Sequence, residues 1–169
     1  MKPQIILTET NFNKLKTAVG KNKEKTIIFT SDSDELNRQV LEKLPINILL
    51  LNQSERKDFQ KQRNSGFNQV LAKIAKQNQI SIGINLDEII NSKGKAKAEI
   101  LARVQQNVKL CNKNKLNMKF ISPSGIKRNS YDLKSLGLVL GMPTEMLKYL
   151  QAIVVSVGGN EKMPPTRAL

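Results

Sequence analysis

Histidine and tryptophan are absent from this chain, and cysteine occurs once. Without imidazole there is no Ser-His-Asp or Cys-His catalytic arrangement and no zinc site built on histidine. The single thiol, Cys111, forms no internal disulfide. It falls on the apolar side of a helical pattern, where packing is its expected role. Two tyrosines and five phenylalanines in 169 residues leave little for an aromatic platform on which nucleic-acid bases stack. No apolar run approaches the length of a membrane-crossing helix, and the first residues lack a signal-peptide segment. The simplest expectation is a cytoplasmic protein with no membrane partner. Carboxylates are scarce too: 14 Asp and Glu stand against 28 Lys and Arg, a formal net charge of +14.

That charge, with a pI near 10.0, favours RNA, DNA or anionic lipid as partner over an acidic small substrate. Hydrophobic residues make up 39% of the chain, enough for a globular core. One domain is expected over 1–157, followed by a flexible tail, 158–169, that includes Pro164-Pro165. The basic residues are densest in 93–128, where ten Lys or Arg face one carboxylate, Glu99. Inside that stretch Ile100, Leu101, Val104, Val108 and Cys111 recur three and four apart, so they share one helical face. Lys109 and Lys113 point away from it. A short apolar run, 118–121, and the small-residue turn Ser122-Pro123-Ser124-Gly125 follow. The stretch reads as one basic stripe suited to a polyanion.

Along the chain, continuous apolar runs at 5–8, 26–30, 46–51, 80–84, 118–121 and 153–157 read as strands. Amphipathic helical patterns separate them. Thr10 is the expected cap of the first helix, and Ser31 with Asp34 has the spacing of a capping box for the second. The third helix is expected to start near Ser65, and Gly83 suggests a close backbone approach within its strand. Gly141 and Pro143 end the helix that begins at Asn129 or Ser130. Apolar strands alternating with helices argue for parallel strands buried on both faces. About six βα units allow two α/β architectures: an incomplete TIM-barrel-like sheet or an open doubly wound sheet.

In both architectures ligands approach the strand ends where Asn85 to Glu88 and Ser122 to Arg128 lie. Ser122 and Ser124 can offer hydroxyls and backbone N–H groups to a phosphate, with Lys127 and Arg128 beside them. No Walker A or dinucleotide glycine pattern is present. Asp87, Glu88 and Asp132 could hold Mg²⁺ for nuclease chemistry. They also occupy ordinary helix-start positions, and that reading is preferred. Asn64 and Asn68 can bind a ligand or cap the local backbone. Phe67 reads as core.

Several blocks resemble a known family. RNSGFNQVLAKIAK at 63–76 and ISIGI at 80–84 come first. NVKLC at 107–111, MKFIS at 118–122 and YDLKSLGLVLGM at 131–142 follow in order. Together they are similar to the Rpp30 (p30) protein subunit of ribonuclease P. The resemblance implies a TIM-barrel-like fold and a noncatalytic subunit of a ribonucleoprotein endonuclease that removes 5′ leaders from precursor tRNA. It implies no cofactor on the protein, the required Mg²⁺ being held by the RNA. The implied partners are the catalytic RNA, precursor tRNA and a Pop5-like protein. RNA contacts are expected at Arg63, Asn68, Arg103, Lys109, Lys113, Ser122, Ser124, Lys127 and Arg128. Pro123 departs from the family's Ser-Ser or Ser-Gly pattern. About two initial βα units of the family have no counterpart, so an open barrel edge covered by a partner is expected. An independent metal-dependent hydrolase and a general RNA-binding scaffold are the competing readings.

Overall fold

Each apolar run becomes a strand of a single sheet. The computed structural model describes residues 2–148, 150, 153 and 154. The chain runs β1 (Gln4–Leu7), α1 (Phe12–Lys21), β2 (Thr26–Thr30), α2 (Asp34–Lys43), β3 (Ile48–Leu51) and α3 (Gln69–Gln77). It continues through β4 (Ser81–Asn85), α4 (Leu86–Asn91), α5 (Gly94–Lys113), β5 (Met118–Ser122), α6 (Ser130–Val139), α7 (Thr144–Leu147) and β6 (Ile153–Val154). The expected continuation of the sixth strand over 155–157, and the tail 158–169, lie outside the described residues.

The strands pair in parallel in the order β1-β2-β3-β4-β5-β6. That order separates the two expected architectures. A doubly wound sheet reverses its strand order at a switch point and carries helices on both faces. Here the order never reverses. The core repeats the lesson. A large cluster joins Ile27, Phe29, Leu49, Leu51, Ile82, Ile84 and Phe120 to the apolar sides of the helices. A small second cluster, Ile28, Ile48, Leu50 and Ile121 with Ile6 and Ile153, draws on strands alone. Alternate residues of each strand therefore face outward to helices and inward to each other. The result is a curled half-barrel, an incomplete TIM-barrel-like α/β fold.

Gly83 shows why the sheet can curl. A Cβ there would meet Ile121 Cγ1 at 3.1 Å, Ile48 Cγ2 at 3.2 Å and Leu50 Cα at 3.2 Å. Residues of β3 and β5 thus close over the strand between them.

Several helix starts differ from expectation. Asn11, not Thr10, caps α1, its Oδ1 accepting the N–H groups of Asn13 and Lys14 at 2.9 and 3.3 Å. Ser33, not Ser31, caps α2 through Leu36 N–H, while Ser31 Oγ accepts Ser33 N–H in a local turn. Helix α3 starts four residues after Ser65. Gly66 at φ +70° breaks the helical path, and Asn68 becomes the cap, accepting from Val70 and Leu71 N–H at 3.0 Å.

Candidate nucleic-acid interface

The loop from β3 to α3, residues 52–68, is the longest at the strand-exit end, and a network of polar bonds, partly buried, holds it. Gln53 is buried. Its N–H donates to Glu88 Oε2 at 2.7 Å and its side-chain amide to Ser65 O at 3.0 Å. Glu88 also accepts from Ser54 N–H at 3.0 Å and from the Ser54 hydroxyl. Arg56 donates to Asn52 O at 2.8 Å and forms a two-pronged pair with Asp34 at 2.8 and 3.2 Å. Its guanidinium crosses the face of Gly66, where any Cβ would collide with it.

Arg103 corrects an expectation. The sequence pattern puts it among the exposed RNA contacts, yet only 3% of its surface is accessible. Its Nε donates to Asp58 Oδ1 at 2.8 Å and its Nη1 to Gln53 O at 3.1 Å, with Glu99 at 3.9 Å. An arginine buried this deeply is retained by its partners, so it fastens α5 to the loop. The hydrogen bond from Arg103, then that from Asn64 N–H, holds the Asp58 carboxyl below its ordinary range.

The small-residue turn after β5 is also engaged. Ser122 is fully buried, and its hydroxyl donates to Asp87 Oδ1 at 2.9 Å. Ser124 N–H donates to Asp87 Oδ2 at 2.7 Å. The anion in this cradle is the protein's own carboxylate, so Ser122 and the Ser124 amide are not open to a phosphate. Asp87 and Glu88 sit in the first turn of α4 as expected, but Asn85 caps that helix. The two carboxylates instead hold neighbouring loops. Among the described residues no three His, Cys, Asp or Glu side chains gather as a metal-binding group. Cys111 is buried, and burial pushes its thiol up to about 12, leaving it inert.

Exposed cations remain, but they do not form one stripe. Helix α5 spans 20 residues, or roughly 30 Å at 1.5 Å per residue. It runs antiparallel to the strands. Lys109 and Lys113 therefore lie toward the strand-start end. Arg63, Lys127 and Arg128 lie at the strand-exit end, all three exposed. A cavity of about 400 Å³ beside Arg63 is lined by Arg38, Phe59, Asn64, Gly66 and Val70 among others. Sequence reasoning passed over Phe59, which is 65% exposed. Nor did it single out the pairings of Arg56 and Asp58. Their partners lie 22 and 45 positions away, so no local pattern marks them.

No protein-family model matches the chain. It is 32% identical over 145 residues to ribonuclease P protein component 3 of Methanosarcina acetivorans, an alignment covering 85% of this chain and 54% of the relative. It is 33% identical over 133 residues to the protein of the same name from Methanosarcina mazei, covering 78% and 52%. The chain thus spans about half the length of these curated relatives. Its fold matches a chain in the cryo-EM structure of an archaeal ribonuclease P with mature tRNA. The TM-score is 0.70 at 20% identity, over 99% of this chain and 78% of that one. This likeness concerns the fold alone.

Proposed function

We propose, from the premise that this chain belongs to the Rpp30 (p30) family of ribonuclease P subunits, that it is a noncatalytic protein subunit of that ribonucleoprotein. It binds and supports the catalytic RNA that removes 5′ leaders from precursor tRNA. The observation that carries this reading is the 32% identity over 145 residues, most of the described half-barrel. The excess of 14 positive charges supports an RNA partner. The engaged carboxylates support a noncatalytic role, since Asp87 and Glu88 spend their oxygens on neighbouring loops.

On this reading the protein holds no cofactor, and the RNA binds the Mg²⁺ it needs. Candidate RNA contacts are the exposed cations Arg63, Lys109, Lys113, Lys127 and Arg128, with Asn68 and the Ser124 hydroxyl beside them. A Pop5-like protein is the proposed partner. Strand β1, which pairs on one side only among the described residues, gives it an edge to approach. No described helix is long and apolar enough to cross a membrane, and we place the protein in the cytoplasm.

Precursor-tRNA cleavage by the cognate RNA, with and without this chain and a Pop5-like protein, tests the proposal. The pair should accelerate leader removal, and the protein alone should leave the precursor intact with Mg²⁺ present. Specific leader cleavage without RNA overturns the noncatalytic role. A rate indifferent to the chain overturns the assignment.

A further inference from the structure

The half-barrel separates its charges along the strand direction. At the strand-exit end carboxylates are plentiful. Asp34, Asp58, Asp87 and Glu88 are engaged in the bonds described above, and the exposed acids Glu9, Asp32, Glu35, Glu55 and Asp132 share that end with the exposed cations Lys57, Lys61, Arg63, Lys93, Lys95, Lys127 and Arg128. The strand-start end is different. Four helices deliver a lysine there in their last turns: Lys21, Lys43, Lys76 and Lys113. Each complements the negative end of its own helix. That accounts for one lysine per helix and no more.

Lys2, Lys23, Lys25 and Lys115 share the same end and belong to no helix. The carboxylates placed with them are Glu24, Glu42 and Glu145. Glu42 is paired with Arg38 at 2.9 Å, and Glu145 stands one turn from Lys148. Short bonds knit the lysine-bearing loops into a continuous surface. Lys76 Nζ donates to Lys115 O at 2.7 Å, Thr26 N–H to Pro3 O at 2.8 Å and Asn78 Nδ2 to Leu41 O at 2.6 Å.

We infer that the strand-start face, not the strand-exit face with its loops, is the main RNA-phosphate surface of this chain. The inference rests on the RNA-binding reading above and assigns that role to one end of the fold. An RNA backbone laid there meets lysines with few carboxylates to repel it. At the other end it would meet the exposed acids together with the cations. Lys113 belongs to this face and Lys109 lies one turn from it, whereas Arg63, Lys127 and Arg128 become peripheral.

Two neutralised proteins test this. In one, Lys2, Lys23, Lys25 and Lys115 are changed to Gln. In the other, Lys57, Lys61, Lys127 and Arg128 are changed to Gln. None of these residues lies in a helix, so the helix ends keep their lysines and the fold is spared. A third protein changes the first four to Arg, keeping the charge. Binding to the catalytic RNA transcript is measured across a salt series. Each lost phosphate contact removes roughly 0.7–0.9 from the log–log slope. The strand-start Gln protein should lose more than tenfold in affinity and up to about 3 in slope, while the Arg protein stays near the unmodified chain and the strand-exit protein, which gives up the peripheral contacts Lys127 and Arg128, loses no more than about 1.5 in slope. Equal losses from both Gln sets, or a larger loss from the strand-exit set, overturn the inference. An unmodified chain that does not bind the RNA at all overturns the functional reading on which it stands.

Discussion

Two helices close on side chains held in a conformation that favours glycine. After α3, Gln79 sits at φ +56°, with Gln79 N–H donating to Lys76 O and Ile80 N–H to Ala75 O at 2.9 Å. After α5, Lys115 at φ +52° repeats the pattern through Asn112 O and Cys111 O. These are Schellman closures, and α6 makes the same one with Gly141 at φ +88°. A left-handed residue with a Cβ is strained by roughly 1 kcal/mol. Gln79→Gly should therefore stabilise the chain by about 0.5–1 kcal/mol, read from its urea midpoint; a lower midpoint would refute the strain. Asp58 works in the other sense. Its folded carboxyl is held below its unfolded value, so the stabilisation is complete above the unfolded pKa of about 4. It is lost as the pH falls through the lower folded value. Asp58→Asn should cost about 2–3 kcal/mol near neutrality by leaving buried Arg103 without its main partner. It should also flatten the acid limb of stability against pH. A variant as stable as the parent at pH 7 would show that Glu99 and Gln53 suffice for Arg103. None of this was visible in the sequence, because Asp58 and Arg103 are 45 residues apart in loops and helix faces that read as ordinary polar surface.

At the scale of elements the sequence was easier to read. Strands such as Ile48–Leu51 are buried along their whole length, so an unbroken apolar run marks them without ambiguity. Helix starts were less legible because Thr10 and Asn11, or Ser31 and Ser33, are competing caps, and the chain path beyond the helix decides between them. The basic stripe failed for a geometrical reason. A stretch contiguous in sequence runs the full length of α5 and turns back along β5, so its charges divide between two ends. Gly83 was read correctly as a close approach, and its role can be measured. Gly83→Ala should cost about 1–3 kcal/mol, because Ile48, Leu50 and Ile121 must all give way on a face already fully packed. An unchanged melting temperature would mean that the sheet opens there freely and that the inner cluster does not set its curvature.

For the whole molecule, an excess of 14 positive charges is a liability when RNA is absent. Lysines crowded at the strand-start end repel one another, and low salt lets that repulsion act over long distances. The Debye length falls from about 30 Å at 0.01 M to about 8 Å at 0.15 M. The pairs that hold the fold together respond differently. Arg103 is buried, so its pair with Asp58 is screened less than a surface pair, and exposed pairs such as Arg38 with Glu42 contribute little at any salt. Repulsion should therefore dominate the salt response, and the melting temperature should rise as salt is added over that range. Neutralising Lys2, Lys23, Lys25 and Lys115 removes much of the repulsion, so that variant should melt higher than the parent at low salt and gain less from added salt. RNA should act on the parent as a specific counter-charge, stabilising it by about 2.7 kcal/mol at a free concentration 100 times its dissociation constant. Calorimetry with and without RNA separates these effects. A parent whose melting temperature falls with salt would show that attractive pairs outweigh lysine repulsion, and the strand-start face would then lack the uncompensated charge assigned to it.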